Sequence, residues 1–281
     1  MISVVCVYNN QDILNNWLLK SLKNQTIEFE LITLDNTRNR FKSAAEALNY
    51  GGNQAKSKYI MFVHQDVDLS SNTWLEDVEK MLDSIPGLGV AGVAGASEEE
   101  HPVEGRCRTI IRHGVPPRPV VTTPSNLLKN PEKVQTLDEC LVIVPRSVFN
   151  VLTFDEEVCD DWHLCAVDYC LSARKLGFDS YAIPIFIYHR STGELTNLFQ
   201  IILCLGQYPK GYYQTLKKLL KKHKNQVKQI HTTTGSWTTS HFLIWQRMTS
   251  FIVPLLVKLG VGHVYRKSGL KYLWKKLKSD N

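Results

Sequence analysis

Tyr59-Ile60-Met61-Phe62-Val63-His64-Gln65-Asp66-Val67-Asp68 decides how this chain folds. Its first five residues form an unbroken apolar run, too short for a helix and apolar on both sides. That is the pattern of a strand covered on both faces. The run stops in a polar segment that carries two aspartates one residue apart. Working backwards, residues 2–8 read as a second such strand, and residues 12–23 as a helix with Ile13, Trp17, Leu18 and Leu22 at helical spacing. Residues 29–34 read as a strand that runs into Asp35-Asn36-Thr37, and residues 44–55 as a helix. Working forwards, residues 73–83 read as a helix and residues 90–95 as a strand. Such alternation predicts an α/β domain, a mostly parallel sheet with helices on both faces.

Residues 97–136 break the rhythm. An acidic run, Glu98-Glu99-Glu100, is followed by Pro116-Pro117, Pro119 and Pro124, and the segment reads as a long excursion of loops. Regularity returns with a strand at 140–144, a helix beginning at Arg146-Ser147, a helix over 164–176 stopped by Gly177, and a strand over 181–188. The domain is expected to span residues 1–195. Residues 196–281 read as a basic, helical C-terminal extension.

Charge divides along nearly the same line. Residues 207–281 hold fifteen Lys or Arg against the single acid Asp280, whereas residues 1–206 hold eighteen basic and twenty-six acidic side chains. An acidic body with a basic tail points to an anionic partner for the tail. The seven cysteines are an odd number without metal-ligand spacing, as expected of packed thiols in a reducing compartment. The buried strand begins at Ile2 with no basic or cleavable leader before it. The longest apolar stretch, 251–259, is broken by Pro254 and Lys258 and falls far short of the ~20 residues a spanning helix needs.

In open α/β sheets ligands bind beyond the carboxyl ends of the strands. Tyr8-Asn9-Asn10, Asp35-Asn36, Asp66-Val67-Asp68 and His189-Arg190 all fall at such ends. Asp66 and Asp68, just past a buried strand, suit a hard divalent cation that neutralises a diphosphate leaving group.

Taken together, these segments resemble the family 2 glycosyltransferases of GT-A fold, and among them the bacterial branch that builds surface polysaccharides and glycoconjugates. The resemblance covers most of residues 1–190. It is carried by Val7-Tyr8-Asn9, Leu34-Asp35-Asn36, Ala47-Leu48-Asn49-Tyr50-Gly51 and the run from Tyr59 to Asp68. Val167-Asp168-Tyr169-Cys170-Leu171-Ser172-Ala173-Arg174-Lys175-Leu176-Gly177-Phe178 and Tyr188-His189-Arg190-Ser191-Thr192-Gly193 complete it.

The resemblance implies a nucleotide-sugar donor, a Mn²⁺ or Mg²⁺ cofactor and an inverting transfer to a glycan acceptor. By the same resemblance, Asp35 meets the base, Tyr8 and Asn9 lie near the nucleotide, and Asn49 lies beside the diphosphate. Asp66, Asp68 and His189 hold the metal, and Asp138 and Glu139 underlie the acceptor sugar. Family members place a Glu-Asp pair where this chain has Cys165-Ala166. That departure leaves the base open between Asp161, beside the acceptor-facing Trp162, and Asp168, with Asp160 as a third candidate. Basic amphipathic segments at 210–230 and 265–277 are expected to hold the protein at an anionic membrane, on the cytoplasmic face, near a lipid-linked acceptor. No nucleic-acid partner is expected. A nucleotidyltransferase and a catalytically silent binding module are the alternatives. The first would carry a Gly-rich basic loop where the chain has Tyr8-Asn9-Asn10-Gln11-Asp12.

Overall fold

The computed structural model describes residues 1–98, 106–115, 121–122, 128–190 and 208–240. Strand β3 (Tyr59–Val63) is buried along its whole length, and its side chains divide by parity. Tyr59, Met61 and Val63 enter one core, while Ile60 and Phe62 enter another on the opposite face. Strand β1 (Ile2–Tyr8) does the same, with Ile2, Val4 and Cys6 on the first side and Val5 on the second. This two-sided burial makes both strands read as continuous apolar runs.

The main sheet has seven strands in the order β10-β13-β5-β12-β3-β1-β2. The remaining members are β2 (Glu30–Asp35), β5 (Leu88–Gly92), β10 (Glu132–Val134), β12 (Leu141–Pro145) and β13 (Asp179–Ala182). β1, β2 and β3 are parallel, as are β5 and β13, whereas β12 runs antiparallel between β3 and β5 and β10 runs antiparallel at the edge. The helical stretch from Gln11 to Leu22 and the helix Trp74–Asp83 cover the first face. Helices Ala44–Gln54, Arg146–Phe149 and Cys165–Lys175 cover the second. Gly52 lets Ala44–Gln54 approach closely, because any Cβ there would run into the Phe149 ring.

Three expectations change. Residues 97–136 are not merely loop. They contribute β10 and the short strands β7 (Cys107–Thr109), β8 (Arg112–His113), β9 (Val121–Thr122) and β11 (Thr136–Leu137). Strands of two or three residues leave no readable alternation. The single strand expected over 181–188 is two strands, β13 in the main sheet and β14 (Ile187–His189) in a second sheet beside β4 (Val67–Leu69). Pro184 lies between them and cannot donate to a ladder.

The extent expected of the C-terminal extension also changes, because residues 211–240 rejoin the first unit. Residues 1–194 and 211–240 form one compact unit, and Leu195–Lys210 with His241–Asn281 form a second, almost all of it outside the described residues. The basic helix runs Lys210–His223, in the first unit from Gly211 on, and does not continue to 230. The chain turns into a hairpin of β15 (Gln229–Thr232) and β16 (Gly235–Thr238) instead. Threonines and Trp237 favour strand there, and Gly235 supplies the positive φ of the turn. The amphipathic segment expected at 265–277 lies outside the described residues. Among the described residues no helix is long and apolar enough to cross a membrane.

Candidate active site

The carboxyl ends of β1 and β3 open on a cavity of about 380 Å³, lined among others by Tyr8, Asn9, His64, Gln65, Asp66, Glu139, Trp162, Cys165 and Ala166. This is the size of a small-ligand site. Gln65 ties its floor together. Its Oε1 accepts the backbone N–H groups of Asn9 and Asn10 at 3.1 and 3.0 Å, and its Nε2 donates to Asn9 Oδ1 at 2.7 Å. Asp35 stands one residue back, accepting from Tyr8 and, at 2.8 Å, from Thr37 N–H. The Thr37 hydrogen bonds hold its carboxyl below the usual range.

Strand pairing brings the metal-ligand types together. β14 lies antiparallel to β4 with His189 opposite Val67, and Arg190 N–H donates to the Asp66 carbonyl at 2.8 Å. As a result His64, Asp66 and His189 each place one ligand atom within 4.8 Å of the others, the one such group among the described residues. His189 Nε2 is 3.3 Å from Asp66 Oδ1. Burial pushes the Asp66 carboxyl up, but the His189 imidazole outweighs it and holds the group below its ordinary value. His189 is likewise pushed down by burial, and Asp66 more than reverses the shift. His64, deep among protein atoms yet open to the cavity, is held low by burial and then by His189. Its free imidazole is therefore kept neutral, the form that binds a metal.

His64 takes the place expected of Asp68. Asp68 Oδ2 is gripped by Arg190, from Nε at 3.0 Å and Nη2 at 2.5 Å, and Asp68 does not belong to the converging group. The Arg190 guanidinium lies over the Tyr188 ring and is not free to swing away.

Four other expectations need correction. Asn49 is buried and fully used in the fold. Its Nδ2 donates to Phe154 O and Glu156 Oε1 and its Oδ1 accepts Phe154 N–H, so it does not face a nucleotide. Asp168 is 2% exposed, with His223 Nε2 at 2.8 Å and Lys222 Nζ at 2.7 Å, which rules out a base that meets an acceptor. Asp161 does not line the cavity. It packs on Gly211 so tightly that a side chain there would collide with it, and it accepts the Trp162 N–H at 2.5 Å. Asp160 pairs with Lys218 at 2.6 Å.

Of the acceptor candidates, Glu139 and Trp162 line the cavity. Asp138 is held aside by Cys140 N–H at 3.0 Å and Thr233 Oγ1 at 2.7 Å. Burial pushes its carboxyl up, and these hydrogen bonds outweigh that and hold it low. Thr233 belongs to the β15–β16 hairpin, which also grips Gln135 and Thr136. A segment read as a basic helical extension therefore braces β11, which leads into the turn that holds Glu139.

A mixed α/β sheet with a carboxylate–imidazole cluster beyond its parallel strands has its candidate site where open-sheet proteins bind ligands. Residues 3–188 match the profile of the family described as "Glycosyltransferase like family", and the chain belongs to that family and is a glycosyltransferase. The sequence has no match among curated proteins. Solved structures of similar fold include GalNAc-T7 with UDP, GalNAc and Mn²⁺ (12% identity, TM-score 0.51, covering 80% of this chain and 48% of that one). Less close in shape is Staphylococcus aureus TarS 1–349 with UDP (16% identity, 0.49, 91% and 72%). Mannosyltransferase PcManGT from Pyrobaculum calidifontis with GDP-Man and Mn²⁺ is similar in degree (12% identity, 0.49, 98% and 87%). Identities this low speak to the fold alone.

Proposed function

We propose that the protein moves a sugar from a nucleoside diphosphate to a hydroxyl of a glycan acceptor, with inversion and with a divalent metal held by His64, Asp66 and His189. The observation that carries this reading is the convergence of those three groups, two of which, His64 and Asp66, line a cavity shared with Tyr8 and Asn9. Two imidazoles and a carboxylate fit Mn²⁺ better than Mg²⁺, which favours an all-oxygen shell. When bound, the metal supplies positive charge for the diphosphate as it leaves. Tyr8, Asn9 and the Asp35 behind them are assigned to the nucleotide. The half-exposed Trp162 is assigned to the apolar face of the acceptor sugar.

The expected lipid-linked acceptor and peripheral membrane site now rest on residues 241–281, which hold eight Lys or Arg. The helix Lys210–His223 uses its apolar face, Tyr212, Tyr213, Leu216, Leu219 and Leu220, inside the compact unit. Salt-sensitive sedimentation with anionic vesicles supports that part of the proposal, and its absence at low salt removes it. The reaction itself is tested by incubating the protein with UDP- and GDP-sugars and measuring released nucleotide. One donor is expected to be consumed in a Mn²⁺-dependent, chelator-sensitive manner. If no donor is consumed while nucleotides still raise the melting temperature, the chain is a binding module instead.

A further inference from the structure

The helix Cys165–Lys175 starts without a side-chain cap, from Leu164 in the left-handed region at φ 67°. That conformation is costly for a branched residue and persists only where its surroundings impose it. Its first amides are met from outside the helix. The Glu139 carboxylate, one turn before β12, takes the backbone N–H groups of Cys165 and Ala166. These are the two positions at which a Glu-Asp pair was expected and is missing. Glu139 lines the cavity, and its Oε1 is shut from bulk solvent without a hydrogen-bond partner. A buried carboxylate oxygen without a partner is costly unless a ligand supplies one.

We propose that Glu139 is the catalytic base of the transfer, supplied from the loop before β12 in place of the absent pair on the helix. The proposal rests on the glycosyltransferase reading above. In the step, the acceptor hydroxyl oxygen bonds to the anomeric carbon, and the bond from that carbon to the diphosphate oxygen breaks, its electron pair leaving with the nucleoside diphosphate. The hydroxyl proton passes to Glu139 Oε1 and is later lost to water. The other carboxylates near the helix start are engaged elsewhere: Asp138 by Thr233 and Cys140, Asp160 by Lys218, Asp161 by the Trp162 N–H and by packing on Gly211, and Asp168 by Lys222 and His223. Burial, reinforced by Asp138, pushes the Glu139 carboxyl up to about 8, against the pull of the two amides. A base of that strength suits proton transfer at about pH 8 and above, where it is ionised in the resting protein.

Glu139→Gln separates the base from a mere cap, because an amide oxygen still accepts both N–H groups and cannot take the proton. Wild-type protein with its consumed donor sets the reference. The variant is expected to lose roughly 100-fold or more in kcat, with donor affinity unchanged and a melting temperature equal to or above wild type. Near-normal kcat in this variant overturns the proposal, as does a kcat loss that comes with a lowered melting temperature or weakened donor binding. If Asp161→Asn carries the loss while Glu139→Gln turns over normally, the base is Asp161. Wild-type protein that consumes no donor overturns the glycosyltransferase reading itself, whereas an active wild type with an active Glu139→Gln overturns this assignment alone.

Discussion

One compact unit holds two groups of carboxylates, and the protein treats them oppositely. Asp155, Asp160 and Asp168 face the helix Lys210–His223, where Lys218 and Lys222 neutralise them and His223 hydrogen-bonds to Asp168, all at 2.6–2.8 Å. Burial lowers the Lys222 ammonium, but Asp168 and Asp155 outweigh it and hold the charge firmly in place. Asp66 and Glu139 face the cavity and have only imidazoles or backbone amides for company. The first group is closed, with each acid matched by a cation from the same chain. The second is open, and its unmet charge and unmet oxygen await a ligand. In this fold an acid's neighbours in space, not its place in a motif, decide whether it serves the structure or the reaction.

The contrast breaks most sharply at Asp168. Asp168→Ala leaves Lys222 with Asp155 alone and strips the buried His223 of its carboxylate, and removing one member of a buried pair costs about 3–5 kcal/mol. Denaturant unfolding is expected to show that loss, while whatever protein remains folded keeps its donor affinity. Loss of donor binding in folded protein would move Asp168 back into the site.

A smaller effect comes from Glu139 through pH. A carboxyl raised to about 8 in the fold keeps its proton while the unfolded chain has lost it. Wild-type stability therefore falls as pH rises from the ordinary carboxylate range to about 8 and levels off above that. Glu139→Gln lacks this slope, so its melting temperature should exceed wild type by several degrees at alkaline pH and match it in acid. Parallel melting curves at every pH would contradict the closed burial of this group.

The smallest effect is expected at Lys218→Ala. Its pair with Asp160 is about half exposed on both sides, and such pairs contribute roughly 0–1 kcal/mol. A shift beyond that range in a denaturation curve would show the helix to be held by this contact more than by Asp168.

Most of the fold was legible from Tyr59–Val63 and its neighbours, because two-sided burial leaves unbroken apolar runs. The placement of β12 among parallel strands was not, since an apolar strand carries no sign of its direction. In the site, Asp66, His189, Tyr8, Asn9, Glu139 and Trp162 were readable by their position after strands or by resemblance. His64 stood in the deciding stretch, yet nothing in one sequence marks a histidine as facing an aspartate two residues on. Asp68 and Asp168 misled for the opposite reason. Their partners, Arg190, Lys222 and His223, lie 54–122 residues away, and only the fold brings them in.

The proposed metal on Asp66, His64 and His189 would carry the nucleoside diphosphate. Calorimetric titration of UDP and GDP into wild type and Asp66→Ala, with and without Mn²⁺, tests it most directly. One nucleotide is expected to bind wild type only with Mn²⁺, and Asp66→Ala to lose at least about 100-fold in affinity, on the scale of losing a metal-site group. Equal affinity in the two proteins, or binding indifferent to Mn²⁺, would contradict it.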